Sequence, residues 1–157
     1  MELIRGIHNI RAKHRGCVLT IGNFDGVHLG HQAVLRQVVE KARALDLPAT
    51  VMLFEPQPLE LFQGEQAPAR LSRLRDKYTQ LAKLGVDRLL CVSFSPAFAA
   101  MSPDAFVDRL LVNQLGVKFL VVGDDFRFGL KRAGDFARLE QAGKEHQFEV
   151  VRTESVC

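Results

Sequence analysis

The chain has 157 residues, of which 47% are hydrophobic, and a formal net charge of +3. This length suits one domain with a sizeable buried core, and so small a charge argues against a nucleic-acid-binding protein. No run of about 18 apolar residues could cross a bilayer. Glu2 and the scattered charges through Arg15 do not form a secretory signal. We therefore expect one cytoplasmic domain that binds neither nucleic acid nor membrane.

The first predicted unit is a strand, a glycine-rich turn and a helix. An apolar run over residues 18–21 ends at Gly22. From Leu29 onward, apolar residues recur at helical spacing, at Val34, Leu35, Val38, Val39, Ala42 and Leu45. This change of period predicts a strand that leads through the turn into a helix.

The rest of the chain alternates strands with helices. Apolar, β-rich runs predict strands over residues 50–54, 89–94, 119–122 and 148–151. One helix is predicted over residues 71–84, where Gly85 suits the position after its end. A second is predicted from Ser102 and Pro103 to Gly116, and a weaker third around Phe136, Leu139 and Ala142. This alternation predicts an α/β fold, a mostly parallel sheet of about five strands with helices on both faces.

The three cysteines are Cys17, Cys91 and Cys157, an odd number without paired spacing. Two of them fall in predicted strands. We therefore expect buried thiols rather than a disulfide framework or a zinc site.

Three unusual segments follow predicted strands, at residues 22–31, 55–58 and 124–129. In open parallel sheets, ligands bind beyond the carboxyl ends of the strands. We therefore expect all three segments to border one cleft at that edge of the sheet.

The first of these segments has the chemistry of a phosphate site. Gly22, Gly26 and Gly30 permit sharp turns and a close approach of the main chain, and the following helix offers unpaired amide N–H groups. His28 and His31 lie three residues apart, and each imidazole can donate a hydrogen bond to an anion. In-line transfer of a nucleotidyl group requires this kind of positioning and charge stabilisation.

Other interpretations of the turn stay open. Asp25, His28 and His31 could form a zinc site, although no third histidine or cysteine is near in sequence. Asp25 is a candidate carboxylate for Mg²⁺, and equally a turn residue that bonds to its own backbone. The glycines match neither the P-loop pattern nor a dinucleotide fingerprint.

At these residues the sequence resembles the HxGH nucleotidyltransferases. It resembles more closely the N-terminal FMN adenylyltransferase module of bacterial bifunctional riboflavin kinase/FAD synthetases. The likeness rests on residues 20–31, on Phe54-Glu55-Pro56-Gln57-Pro58, and on Gly123-Asp124-Asp125-Phe126-Arg127-Phe128-Gly129, in the same order as in the family. It implies a Rossmann-like fold and an enzyme that converts FMN and ATP, with Mg²⁺, to FAD and pyrophosphate.

The resemblance also implies roles for individual residues. His28 and His31 would act as the catalytic pair on the phosphates of ATP. The ATP site would comprise Gly22, Asn23, Phe24, Asp25 and Gly30. The flavin site would comprise Phe54, Pro56, Pro58, Phe62, Asp125 and Phe128.

Some of these roles have structural alternatives. Phe62 and Phe128 could belong to the core. Asp125 could cap a turn rather than accept a hydrogen bond from the flavin, and Arg127 could support its loop rather than bind phosphate.

The sequence departs from the family pattern after Val156, where the family has a Ser-Ser-Thr-x-x-Arg signature that contributes phosphate donors. We expect that the natural protein continues through this signature into a riboflavin kinase domain. We also expect that the chain without it binds ATP but turns over slowly. Two alternative functions are another HxGH transferase, acting on a phosphopantetheine, nicotinamide mononucleotide or choline phosphate, and a weakly active nucleotide- or flavin-binding module.

Overall fold

The computed structural model describes residues 1–22, 29–55, 67–123 and 126–153. In these ranges the chain forms a single sheet of six strands: β1 Glu2–Arg5, β2 Cys17–Ile21, β3 Ala49–Glu55, β4 Arg88–Ser93, β5 Val117–Gly123 and β6 Glu149–Thr153. The strand order is β1-β4-β3-β2-β5-β6, and every neighbouring pair is parallel. The predicted α/β fold with a parallel sheet is confirmed.

The prediction of about five strands omitted β1. This strand has four residues at the edge of the sheet, and only Ile4 in it is buried. So short a segment has no apolar run that sequence reading could detect. Polar contacts help to hold it. The ring of His14 accepts a hydrogen bond from the Arg11 N–H at Nδ1, so its Nε2 carries the proton and donates to Glu2 Oε2 at 3.1 Å.

Helices cover both faces of the sheet, as the sequence predicts. They are α1 Leu29–Leu45, α2 Ala67–Lys83, α3 Pro96–Ala99, α4 Pro103–Ala105, which continues as the π-helical segment Phe106–Gln114, and α5 Phe136–His146. On one face, Leu35 of α1 and Leu81 of α2 pack against Val51 and Leu89 of the sheet. On the other face, the π-helical segment and α5 cover residues such as Leu19 and Leu120.

The predicted helix signals are confirmed at two of the boundaries. Ser102 Oγ accepts a hydrogen bond from the Ala105 N–H at 3.1 Å, with Pro103 at the first helical position. Gly85 adopts φ +95 after α2, a left-handed conformation that glycine tolerates. The helix predicted to follow Ser102 is not uniformly α-helical, because its long middle part takes the wider π form, as in the bond from Leu115 N–H to Leu110 O.

The two cysteines that the structure describes, Cys17 and Cys91, are buried thiols outside any disulfide, as predicted. Burial raises the pKa of the Cys17 thiol to about 12. Within the described ranges, no helix is both long enough and apolar enough to cross a membrane.

A polar cluster ties α1 to the amino ends of two strands. Arg43 Nη1 donates to Asp87 Oδ2 at 2.8 Å, and the same oxygen accepts from the Ala49 N–H at 2.8 Å. Partial burial acts to raise the pKa of the Asp87 carboxyl. The hydrogen bonds from Arg43 and Ala49 outweigh that effect, so the pKa lies below its ordinary value of 3.8.

Candidate active site

The strand order places a switch point at the carboxyl end of β2. Strands β3 and β4 lie on one side of β2, whereas β5 and β6, which come later in the chain, lie on its other side. In doubly wound sheets, ligands bind in the crevice where the strand order reverses in this way.

A cleft of about 300 Å³ lies at this edge of the sheet. Its walls include Gly22 after β2, Phe54 at the end of β3, Phe94 after β4 and Phe126 after β5. The expected meeting is therefore confirmed for the first and third segments, through Gly22 and Phe126. Residues 56–58 of the second segment lie outside the described residues.

Among the residues that the structure describes, six phenylalanines line the cleft, and we call them the phenylalanine cluster: Phe54, Phe94, Phe98, Phe106, Phe126 and Phe128. The ring centroid of Phe98 lies 5.7 Å from that of Phe54 and 6.3 Å from that of Phe106. Phe106 and Phe128 are 5.0 Å apart, and Phe126 stacks on Phe128 at 5.8 Å with 17° between the ring planes. Because these rings contact one another in a continuous series, the cleft has a continuous aromatic wall.

A tight loop also borders the cleft. Phe128 and Gly134 exchange two backbone hydrogen bonds, of 3.2 and 2.9 Å, which close the loop between them. Lys131 and Arg132 lie within it, and both border the cleft. The cleft therefore combines an apolar wall with a basic rim.

The predicted site residues divide into three groups. Gly22, Phe54 and Phe128 are brought together around the cleft. The backbones of Gly30 and His31 lie in the first turn of α1, and the side chain of His31 is outside the described part. The others also lie outside the described residues: Asn23, Phe24, Asp25, His28, Pro56, Pro58, Phe62 and Asp125.

The structure addresses two of the alternatives. Phe128 is only 5% exposed and packs in the core, as the structural alternative expected, and it also lines the cleft. Its contact with a flavin stays a prediction. Arg127 Nη1 lies 3.8 Å from Asp135 Oδ2, a contact that supports the loop. Asp135 also caps α5, because its Oδ1 accepts a hydrogen bond from the Arg138 N–H.

Sequence reasoning missed several residues that line the cleft. Phe94, Phe98, Met101 and Phe126 were not predicted as site residues, and neither was Phe106, which lies within the helix predicted from Ser102. Their common signal is a phenylalanine or methionine shortly after a strand end.

Within the described residues, no group of three His, Cys, Asp or Glu side chains could hold a metal ion. The zinc alternative at Asp25, His28 and His31 lies outside them.

Residues 10–157 match the family described as FAD synthetase. The chain belongs to this family. The FAD synthetase match includes the turn after β2, the phenylalanine cluster and the basic rim.

Relatives of this FAD synthetase chain are named bifunctional riboflavin kinase/FMN adenylyltransferase. The protein from Escherichia coli strain K12 is 58% identical over 100% of this chain and 50% of its own length. The proteins from Haemophilus influenzae and Pseudomonas fluorescens are 54% and 52% identical, over 100% and 99% of this chain and 51% and 50% of their own. The chain thus spans about half the length of the curated relatives it matches.

A solved structure shares the fold of this FAD synthetase chain. It is a Streptococcus pneumoniae protein described as a macrolide-efflux protein, with a TM-score of 0.78 and 26% sequence identity. The match covers 99% of this chain and 51% of that protein. This likeness supports the Rossmann-like architecture.

Proposed function

We propose that this chain is an FMN adenylyltransferase, which transfers the adenylyl group of ATP to FMN and yields FAD and pyrophosphate. The observation that carries the proposal is the cleft lined by the phenylalanine cluster at the switch point of the sheet. Membership of the FAD synthetase family and the names of the relatives support the same activity.

The flavin ring is the part of FMN that suits this cleft. Isoalloxazine is an apolar aromatic tricycle, and the rings around Phe98 and Phe128 offer it aromatic faces and edges to pack against. A site of about 300 Å³ is at the lower end of the usual range for a small-molecule pocket. Phe54 and Phe128 are the proposed flavin contacts that the structure describes, with Pro56, Pro58, Phe62 and Asp125 proposed beside them.

ATP is proposed to bind at the turn between β2 and α1. Helix α1 begins at Leu29, and its amino-terminal end carries unpaired N–H groups and the positive end of the helix dipole. Gly22, Asn23, Phe24, Asp25 and Gly30 would form the nucleotide site. Gly22 also lines the cleft, so the turn and the proposed flavin site share a boundary.

The proposed reaction is an in-line displacement at phosphorus. A phosphate oxygen of FMN attacks the α-phosphorus of ATP, the bond from the α-phosphorus to the bridging oxygen breaks, and pyrophosphate leaves with that oxygen. His28 and His31 would donate hydrogen bonds where negative charge builds on the phosphates. No covalent enzyme intermediate is required.

Mg²⁺ is proposed as the metal that shields the triphosphate. Such an ion is held mainly by substrate phosphates and water with one or two carboxylates, so it does not require a cluster of protein ligands. Asp25 is the proposed carboxylate.

For the whole protein we propose a riboflavin kinase activity as well, because relatives about twice as long carry that name.

The test is FAD formation from FMN, ATP and Mg²⁺, followed by chromatography. It is run with the 157-residue chain and with a version extended through the Ser-Ser-Thr-x-x-Arg signature. We expect FAD from the extended version and a loss of about a hundredfold in rate for His28→Ala or His31→Ala, without a change in melting temperature. No FAD from the extended version, or adenylylation of nicotinamide mononucleotide instead, would overturn the proposal.

A further inference from the structure

In the described part of the chain three cations border the cleft, Arg127 and the two of the basic rim, and their surroundings differ. Arg127 is paired with Asp135, as described above. Lys131 and Arg132 border the same cleft and are exposed, and no carboxylate in the described part of the chain pairs with either. Two cations at one mouth are therefore available to an anionic ligand.

The backbone holds these two residues in an unusual conformation. Lys131 has φ 55 and ψ 22, and Arg132 has φ 54, so two successive non-glycine residues adopt the left-handed region. L-residues with a side chain rarely take this conformation, and such outliers concentrate at functional sites.

Neighbouring contacts fix the conformation of this loop. The Leu130 N–H donates to Met101 O at 2.7 Å, and the Arg132 N–H donates to Gly129 O at 3.0 Å. Gly129 has φ +80, and a Cβ there would come within 2.8 Å of Pro103 N, so its backbone lies directly against the start of α4. Together with the paired bonds between Phe128 and Gly134, these contacts hold Lys131 and Arg132 at the mouth of the cleft.

We propose that Lys131 and Arg132 bind the phosphate of FMN and give the cleft its preference for FMN over riboflavin. The inference rests on the proposed function, because it assumes that the flavin ring occupies the phenylalanine cluster. A ring bound there carries its phosphate on a flexible ribityl chain, which reaches outward to the mouth. Lysine supplies a mobile point charge and arginine a planar fork that bonds two phosphate oxygens.

The test compares two flavins that differ only in the phosphate. FMN and riboflavin are titrated by fluorescence quenching against the 157-residue chain and against a Lys131→Gln/Arg132→Gln variant. We expect the unaltered chain to prefer FMN by about tenfold or more, and the variant to bind both within about threefold. The dissociation constant of riboflavin should not change. The FMN preference of the unaltered chain should also shrink as salt is raised.

A variant with the same change in net charge is the control. Lys118 and Lys144 are exposed, and neither borders this cleft. Lys118→Gln/Lys144→Gln should therefore keep the preference for FMN. Melting temperatures should agree among the three proteins. Lysine, arginine and glutamine all carry a Cβ, so the cost of the left-handed backbone at residues 131 and 132 should stay similar.

Three results would overturn the inference. The variant could keep the preference for FMN, it could lose affinity equally for both flavins, or it could lose affinity for ATP alone by a similar factor. Failure of the proposed function gives a different pattern, since the unaltered chain would then bind neither flavin.

Discussion

Gly134 lies against the ring of Phe128: a Cβ built on Gly134 would meet both Cε2 and Cζ of that ring at 2.5 Å. The φ of Gly134 is not in the left-handed region, so its backbone would accept any residue and only the ring requires a glycine. Because Phe128 is also held by Phe106 and Phe126, it has little room to move.

Gly134→Ala should displace the Phe128 ring. We expect the free energy of unfolding to fall by about 1–3 kcal/mol, as in other overpacked sites, together with weaker FMN binding. Urea denaturation and flavin fluorescence titration measure the two effects. Adding Phe128→Leu should recover part of the stability, because the smaller side chain makes room, and purely additive effects in this double-mutant cycle would contradict the contact.

Phe98 is the centre of the phenylalanine cluster, with ring contacts to Phe54, Phe94 and Phe106. Phe98→Leu should weaken FMN binding by about 1 kcal/mol, roughly fivefold, because an apolar residue of similar size remains but the aromatic contact is lost. Phe119→Leu is the matched control, since Phe119 is buried on the opposite face of the sheet. Equal losses of FMN affinity in the two variants would show that the effect is one of general stability.

The sequence predicted the location of the cleft but only part of its lining. Gly22, Phe54 and Phe128 follow or end strands, and parallel strands bring such positions to one edge. Phe94 and Phe98 follow β4, whereas Phe126 follows β5, and the two regions meet only because the strand order places β4, β3, β2 and β5 side by side. The periodicity of a single sequence does not determine that order.

Two other features were outside the reach of sequence patterns. The left-handed backbone of Lys131 and Arg132 is imposed by tertiary contacts, against the intrinsic preference of both residues. The short edge strand β1 depends on pairing with β4 rather than on its own hydrophobic pattern. In both cases distant parts of the chain determine the local conformation.

Asp87 should make the stability depend on pH. Its carboxyl has a pKa below 3.8 in the folded state, so it stabilises the fold when the pH is above that value and loses the contribution as the pH falls through its folded pKa. Its side chain is 37% exposed, so solvent screening reduces the effect. We expect Asp87→Asn to cost about 1 kcal/mol near neutral pH.

Urea denaturation at stepwise lower pH measures this dependence. The difference between the unaltered chain and Asp87→Asn should stay constant from about pH 7 to about pH 5 and shrink below about pH 4. Asp76→Asn, which changes an exposed carboxyl on α2, is the control for the loss of one carboxyl group outside this polar cluster. A difference that stays the same at low pH would contradict a role for the ionised carboxylate.

Cys17 should be inert toward alkylation in the folded protein. Its thiol is completely buried, with a pKa raised to about 12, and the thiolate is the reactive form. In a Cys157→Ser variant, iodoacetamide at mildly alkaline pH should leave Cys17 and Cys91 unmodified until denaturant is added. Mass spectrometry gives the extent of labelling, and rapid labelling of Cys17 without denaturant would show that β2 is accessible.

The most direct measurement is a crystal structure of the chain with FMN bound. We expect the isoalloxazine ring within the phenylalanine cluster, between Phe98 and Phe128. The phosphate of FMN should lie near Lys131 and Arg132 and remain accessible from the side of Gly22, where ATP is proposed to bind. A flavin ring bound elsewhere on the molecule, with the cleft at the carboxyl edge of the sheet empty, would contradict the proposed site.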